Sequence, residues 1–253
     1  MDGSLQLPCL RHFSWTGNPG WIYLEALGKL LLWHATQLET LELDFIGWFN
    51  NEDLQPSHWN NFVKCLGLKI GNKKVVFPSL RIALLSAVPF RVATAEIAQA
   101  LNFSHLRTLR LRNCQGTKEL LELLANSPEI IRLTSFELTK PGAGLDGWGM
   151  TPLAKFLMSF QGLKDLYVLC DGRGNALTED YWRSILHHQS TLQRFVHHQR
   201  EVEVDSQHNV SLIYLRELSE WHTSVQQVVL GTHLDCIGFC CWSADMVQLS
   251  NFV

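Results

Sequence analysis

One nine-residue pattern, clearest at residues 106–114, constrains the fold of this chain more than any other feature of its sequence. Leucines occupy its first, fourth and sixth places, as Leu106, Leu109 and Leu111, and Cys114 occupies the ninth. Successive side chains of a strand point to opposite faces, so the fourth and sixth places face inward while the third, fifth and seventh face outward. The spacing therefore predicts a short strand followed by a turn.

The same pattern recurs along the sequence, always with leucine at the first place. The first-place residues are Leu10, Leu38, Leu80, Leu106, Leu133, Leu163, Leu192 and Leu234. Most intervals between them lie within or next to the ~20–29 residues of a leucine-rich repeat, and the two longest indicate insertions near residues 46–76 and 200–230. The sequence thus predicts a single domain, residues 1–253, of about eight repeats.

Residues at the fourth and sixth places are apolar in nearly every repeat. The fourth-place residues are Phe13, Leu41, Ala83, Leu109, Phe136, Leu166, Phe195 and Ile237, and the sixth-place residues are Trp15, Leu43, Leu85, Leu111, Leu138, Val168, His197 and Phe239. His197 alone is polar, and we interpret it as a neutral core histidine bonded to the backbone. A coincidental apolar pattern would not keep one phase through all these segments.

Helical spacing fills the intervals between the predicted strands. Thr117, Thr151 and Thr178 are candidate N-caps, and Pro152 follows Thr151 as expected for a first helical turn. Further helices are predicted at residues 21–36, 53–66, 94–101 and 211–222. Alternating strands and helices predict an α/β fold, a right-handed solenoid with parallel strands on its concave face and helices on its convex face.

Composition limits the classes of function. The net charge of −3 does not suggest a nucleic-acid partner, which usually requires a basic domain. Seven cysteines, mostly at the ends of apolar segments, favour reduced thiols and a cytoplasmic or nuclear location. We recognise no signal peptide and no apolar run of the ~18 residues that span a bilayer, so no membrane partner is expected.

The outward places supply the candidate partner-binding residues. They are Arg107 at the rim, Arg110, Arg112, Glu42, Asp44, Glu137, Tyr167, Arg194 and His198. The arginines at 107, 110 and 112 form a basic centre suited to a carboxylate or phosphate of a protein partner. The alternative is that these charges neutralise one another across neighbouring strands as a solvated ladder.

Two aliphatic residues, Ile82 and Leu84, also fall at outward places. If the register holds, they lie with Tyr167 among the charges, as at a binding surface. The alternative is a local change of register, in which Ile82 or Leu84 replaces Ala83 in the core.

Other motifs give weaker indications of chemistry. The loop at residues 142–149 contains a G-x-G-x-x-G spacing, which suggests an alternative nucleotide-binding or enzymatic function, although the next predicted helix starts too late for a dinucleotide site. His233, Cys236, Cys240 and Cys241 make a surface zinc site conceivable, but Cys236 and Cys240 already fit a strand. We assign no catalytic residue, no cofactor and no metal.

The chain resembles fungal leucine-rich-repeat proteins of the F-box type. The resemblance is carried by Pro78-Ser79-Leu80, by residues 106–114 and by two segments near residues 195–198 and 211–218. It implies that the repeats recruit a substrate and that a separate N-terminal helical motif contacts a ubiquitin-ligase scaffold. That motif is not recognisable here, because Leu5-Gln6-Leu7-Pro8 runs directly into the first repeat.

Overall fold

The structure is a computed structural model that describes residues 7–17, 21–45, 69–70, 73–74, 76–92, 94–140, 149–171, 178–200 and 236–242. The chain divides into two compact units, Met1–Leu133 and Thr134–Val253. Each unit is an α/β arrangement in which parallel strands follow one another in chain order. The prediction of one continuous repeat domain stays a prediction.

Unit 1 contains parallel strands separated by helices. Its elements are β1 (His12–Thr16), α1 (Trp21–His34), β2 (Thr40–Asp44), β3 (Lys69–Ile70), β4 (Lys73–Lys74), β5 (Ile82–Ser86), a 3₁₀ helix (Phe90–Val92), α2 (Thr94–Leu101), β6 (Thr108–Arg112) and α3 (Thr117–Ala125). Strands β1, β2, β5 and β6 pair in that order, all in parallel. The short strands β3 and β4 form an antiparallel pair.

Unit 2 repeats the same alternation of strand and helix. Its elements are β7 (Ser135–Lys140), α4 (Thr151–Met158), β8 (Asp165–Asp171), α5 (Glu179–Leu186), β9 (Arg194–Arg200) and β10 (Cys236–Trp242). All the neighbouring pairs from β7 to β10 are parallel. Parallel pairing in chain order, with a helix in the crossovers after β1, β5, β7 and β8, is compatible with a solenoid-like α/β fold.

The predicted inward side chains form the core of both units. Those of β2, β5 and β6 are at most 4% exposed, and those described on β7, β8 and β9 are at most 2% exposed. Phe13 and Trp15 on β1 are half-buried, whereas the side chains at 237 and 239 lie outside the described part. Because Ala83 and Leu85 are buried and Leu84 is not, the alternative register for the third repeat is wrong.

A recurring pair of main-chain hydrogen bonds joins successive segments at the start of five of the described strand pairs. The carbonyl at the second place accepts two N–H groups from the next segment: Arg11 accepts from Glu39 and Thr40 at 2.8 and 3.0 Å, and Arg81 accepts from Arg107 and Thr108 at the same distances. The carbonyls of Glu39, Thr134 and Lys164 do the same. These hydrogen bonds fix the register at the beginning of those strand pairs.

The helix starts differ from prediction at two of the three proposed caps. Thr178 is the N-cap of α5, and its hydroxyl accepts the N–H of Tyr181. Thr117 and Thr151 are instead the first residues of their helices, which are preceded by Gly116 and Met150. Because Thr117 lies inside the helix, its hydroxyl is not at the N-cap position, and it donates to the Cys114 carbonyl at 2.7 Å.

The remaining helix predictions fall partly outside the described residues. Helix α2 has the predicted bounds, Thr94–Leu101, while α1 ends at His34, two residues before the predicted end. The helices predicted at residues 53–66 and 211–222 lie outside the described residues.

Gly116 occupies a position that no other residue type fits. Its φ of +77° is left-handed, and an added Cβ would lie 2.5 Å from the Arg91 nitrogen and 2.8 Å from the Arg91 Cα. The approach is close because the Phe90 N–H donates to the Gln115 carbonyl at 2.7 Å, which binds the turn after β6 to the 3₁₀ helix after β5. Since the obstructing atoms are backbone, neither side can yield easily.

We predict that Gly116→Ala destabilises the chain more than Gly162→Ala does. Gly162 also has a positive φ, +93°, but nothing lies within 4 Å of a Cβ added there. Both changes incur left-handed strain of about 1–2 kcal/mol, and only Gly116→Ala adds a clash of about 1–3 kcal/mol. Urea unfolding of the two variants measures the difference. Equal losses would show that the turn moves away from Arg91 at no cost.

Candidate functional site

The outward places of unit 1 bring four of the predicted binding residues onto one face. We call the outward residues of β2, β5 and β6 that carry charge or exposed aliphatic surface the outer strip: Glu42, Asp44, Ile82, Leu84, Arg110 and Arg112. Arg112 is exposed and the others are half-buried. The strands hold their backbones in fixed register, so these side chains keep a fixed order across the sheet.

The register sets which residues of the outer strip are neighbours. Glu42 lies beside Leu84, and Leu84 lies beside Arg110. Asp44 and Arg112 flank Ser86 in the same way, one row further along the strands. Acidic and basic residues are therefore separated by a whole strand.

Hydrogen bonds from β1 hold the acidic side of the strip. The Ser14 hydroxyl donates to a Glu42 carboxylate oxygen at 2.8 Å. A second contact one row away joins His12 Nδ1 and the Thr40 hydroxyl at 3.0 Å. These bonds are exposed, and the one from Ser14 directs the Glu42 carboxylate toward β1 rather than toward β5.

The Arg107 side chain hydrogen-bonds to the backbone of the following segment. Its guanidinium donates to the Arg132 carbonyl at 3.0 Å, and the Arg132 N–H donates to the Phe103 carbonyl at 3.2 Å. Arg107 lies one place before β6, so it stands at the edge of the strip. This hydrogen bond links the edge of the strip to the chain just before Leu133.

Unit 2 carries the other predicted binding residues. Glu137 and Tyr167 are lateral neighbours on β7 and β8, and both are half-buried. Arg194 on β9 forms an ion pair with Asp165 on β8 at 2.5 Å, so here the charge-ladder alternative describes the contact. His198 is in register with Leu169, and its side chain lies outside the described part.

A buried tyrosine–histidine pair lies beneath the strands of unit 2. The Tyr181 hydroxyl and His197 Nδ1 are 3.1 Å apart, and both side chains are at most 1% exposed. The prediction that His197 bonds the backbone missed this partner. Burial raises the pKa of Tyr181 well above its ordinary value, and Cys170 contributes in the same direction. The phenol therefore remains protonated and able to hydrogen-bond.

The buried thiols described in the structure are core residues. Cys114 is 2% exposed and donates to the Leu85 carbonyl at 3.3 Å, and burial is the main cause that raises its pKa to about 12. Its sulfur is therefore not an anionic nucleophile at neutral pH. Cys170 lies 3.9 Å from the Met150 sulfur in the core of unit 2.

Two alternatives from the sequence fall largely outside the described residues. Residues 142–148 of the glycine-rich loop lie outside them. His233 of the suggested zinc group lies outside them as well. Only the strand backbone is described for Cys236, Cys240 and Cys241. In the part of the chain that the structure describes, no three His, Cys, Asp or Glu side chains are grouped as metal ligands would be.

An apolar cavity lies in the core of unit 1. Its volume is about 30 Å³, somewhat more than the ~10–15 Å³ that one water molecule needs. Its lining is entirely apolar: Leu31, Leu41, Leu43, Phe77, Leu85, Val88, Phe90, Ile97, Ala100 and Leu101. A space of this size without polar groups offers no site for a polar ligand.

His188 joins two helices of unit 2 through a buried bond. It follows α5, and its Nε2–H donates to the Leu157 carbonyl of α4 at 3.0 Å. Its Nδ1 is buried and has no hydrogen-bond partner, and the ring packs 5.0 Å from that of Phe160. A second proton, on Nδ1, would therefore have no acceptor. Burial, with a smaller effect of His187, lowers the pKa of His188 from 6.5 to about 4.

We predict that His188 makes the chain less stable as the pH falls. Between pH 6.5 and about 4 the unfolded chain binds a proton that the folded chain does not, so stability is lost as pH falls through this range and is unaffected above it. The loss is about 2 kcal/mol at pH 5. His188→Gln keeps a donor for Leu157 and removes this dependence. Urea unfolding measures the free energy of unfolding at pH 7.5 and pH 5. The difference between the variant and the wild type should be smaller at pH 5.

The matched control is His105→Gln, which removes an exposed histidine from a turn in unit 1. The same pH-dependent change in that variant would contradict the assignment to His188.

Compared with protein-family models, with curated proteins and with solved structures, the chain shows no significant match. Among the described residues, no helix has both the length and the apolar character needed to cross a bilayer.

Proposed function

We propose that this chain is a non-catalytic protein-binding module of the leucine-rich-repeat type. The repeated first-place leucines, the buried fourth and sixth places and the recurring second-place carbonyl contact support the repeat assignment. Stacked repeats present a row of strands whose outward side chains are not needed for the core. Such a surface is suited to binding a protein through many small contacts.

The outer strip is the observation that carries this proposal. Outward residues of a strand that faces only solvent are usually polar. Here Ile82 and Leu84 are half-exposed between acidic and basic strands. Protein interfaces usually have an apolar core surrounded by a polar rim. The partner buries the aliphatic centre and pairs with the charges around it.

Tyr167 and Glu137 give unit 2 a comparable pair of outward residues. Tyrosine is enriched at protein interfaces, since its ring adds contact area and its hydroxyl adds a hydrogen bond. The Asp165–Arg194 ion pair beside them is already neutralised. Within unit 2, we therefore propose Tyr167 rather than Arg194 as the outward contact residue.

A role as a substrate receptor in ubiquitin-dependent turnover follows only from the resemblance to F-box-type proteins and stays a prediction. Co-purification of a ubiquitin-ligase scaffold with the intact chain tests it. A clean negative would reject that role and would leave the binding module as proposed.

We predict that Arg110→Glu/Arg112→Glu reduces capture of the natural partner about tenfold, because two charges at an interface are reversed. Affinity purification with the tagged chain, followed by quantitative mass spectrometry, measures the ratio for each captured protein. The control is Arg91→Glu/Arg132→Glu, which makes the same charge change at exposed sites outside the strands. Thermal melting verifies that both variants fold. Equal capture by the folded strip variant and the wild type would remove the outer strip from the proposal.

A further inference from the structure

Strand β1 lies at the edge of the parallel strands of unit 1. Within the described residues it pairs on one side only, with β2. The Arg11 carbonyl and the Gly17 N–H both hydrogen-bond toward β2, and the main-chain groups of successive strand residues point alternately to the two sides. The N–H and C=O groups of residues 12, 14 and 16 therefore point away from β2. We call these groups the open edge.

The inward face of β1 is less covered than that of the other long strands in unit 1. Phe13 and Trp15 are half-buried, whereas the inward side chains of β2, β5 and β6 are at most 4% exposed. The difference arises because β1 has a described neighbour on one side only. Another strand at the open edge would cover both aromatic side chains.

No charged side chain or proline protects the open edge. The strand reads His-Phe-Ser-Trp-Thr and is regular over its five residues. Proteins commonly prevent pairing at an edge strand with lysine, proline or a bulge. Because β1 has none of these, its edge can accept a further strand.

The sequence of β1 is complementary to itself in one antiparallel register. When Ser14 lies opposite Ser14 of a second copy, His12 lies opposite Thr16, and these pairs use every main-chain group of the open edge. Phe13 then lies opposite Trp15 on the inward face. That pair is a non-hydrogen-bonded one, in which cross-strand side chains are closest, and aromatic pairs at such positions are favourable.

Other registers of the same strand fit less well. Centring the pair on Phe13 would put Trp15 opposite Arg11, and centring it on Trp15 would put Phe13 opposite Gly17. Either shift also leaves one residue of the open edge without a partner in β1 of the other copy. A shift by a single residue would set inward side chains against outward ones.

We propose that the open edge of β1 binds the same edge of a second copy of this chain, in an antiparallel two-fold dimer centred on Ser14. This interface goes beyond the proposed function and does not depend on the outer strip. A second copy is inferred because the register that uses every main-chain group of the edge also joins the two aromatic residues. One strand pair buries less than the ~1,200 Å² of stable interfaces, so we expect reversible association in the micromolar range.

Sedimentation velocity of the intact chain tests the dimer. The wild type should change from monomer to dimer as its concentration rises through the micromolar range. Ser14→Lys sets like charges opposite each other at the two-fold axis and should weaken association at least about tenfold. Ser14→Ala is the matched control, because it also removes the hydrogen bond to Glu42 but adds no charge. It should dimerise as the wild type does, and circular dichroism verifies that each variant folds.

A mixture of two variants tests the register. Only a residue on the two-fold axis meets its own copy, so an equimolar mixture of Ser14→Lys and Ser14→Glu should dimerise again, while each variant alone stays monomeric. This recovery separates pairing at position 14 from an effect of net charge.

A disulfide trap replaces the mixture if Ser14→Glu fails to fold beside Glu42. In a Cys9→Ser background, Ser14→Cys should oxidise to a covalent dimer, because the Cα atoms of a hydrogen-bonded antiparallel pair are about 5.5 Å apart. Thr40→Cys in the same background is the control. It lies one strand further in, at least about 14 Å from its own copy in this dimer, and should not cross-link.

A wild type that stays monomeric at hundreds of micromolar overturns the proposal. A dimer that survives in Ser14→Lys, or folded variants that do not recover in the mixture, overturns it as well, as does equal cross-linking of Ser14→Cys and Thr40→Cys. Dimerisation only after removal of residues 1–6 would assign the open edge to the chain's own first residues and would also overturn the proposal.

Discussion

Lateral burial of the fourth- and sixth-place side chains is the constraint on which each unit depends. These side chains are buried only while neighbouring parallel strands stay in register, because a slip of one residue would exchange inward and outward places. The second-place carbonyl, which accepts two N–H groups from the next segment, opposes such a slip at the start of a strand. Core packing and main-chain hydrogen bonding therefore specify the same register.

Because the inward places carry the core, the outward places are free to differ between the units. In unit 2, Asp165 and Arg194 occupy adjacent strands and form an ion pair. In unit 1, an aliphatic strand lies between the acidic and basic strands. The same strand backbone thus carries adjacent opposite charges in one unit and an aliphatic strand in the other. That difference, rather than the number of charges, is the reason for placing the proposed binding surface on the outer strip.

The strands and the buried places could be predicted because they depend on a local period of two. Leu109 and Leu111 are fully buried, as their spacing predicts. The cap at Thr117 was wrong because the left-handed Gly116 takes the N-cap position, which makes Thr117 the first residue of the helix. Local propensity alone does not define the start of a helix to within one residue.

Side-chain contacts between distant segments could not be read from the sequence. The outward column correctly grouped Glu42, Asp44, Arg110 and Arg112, since strand periodicity alone defines it. Arg107 donates to the Arg132 carbonyl, and Tyr181 meets His197 sixteen residues later. Nothing in the spacing of these residues signals such contacts.

The contrast between core and surface polar groups bears on how the outer strip can bind. The buried polar side chains of Tyr181, His188 and Thr117 are held by specific hydrogen bonds. The outward side chains instead stand on paired strands whose backbone order is already established by folding. Under the proposed function, binding would order less of this chain than binding through a flexible loop would, so more of the contact energy would remain as affinity.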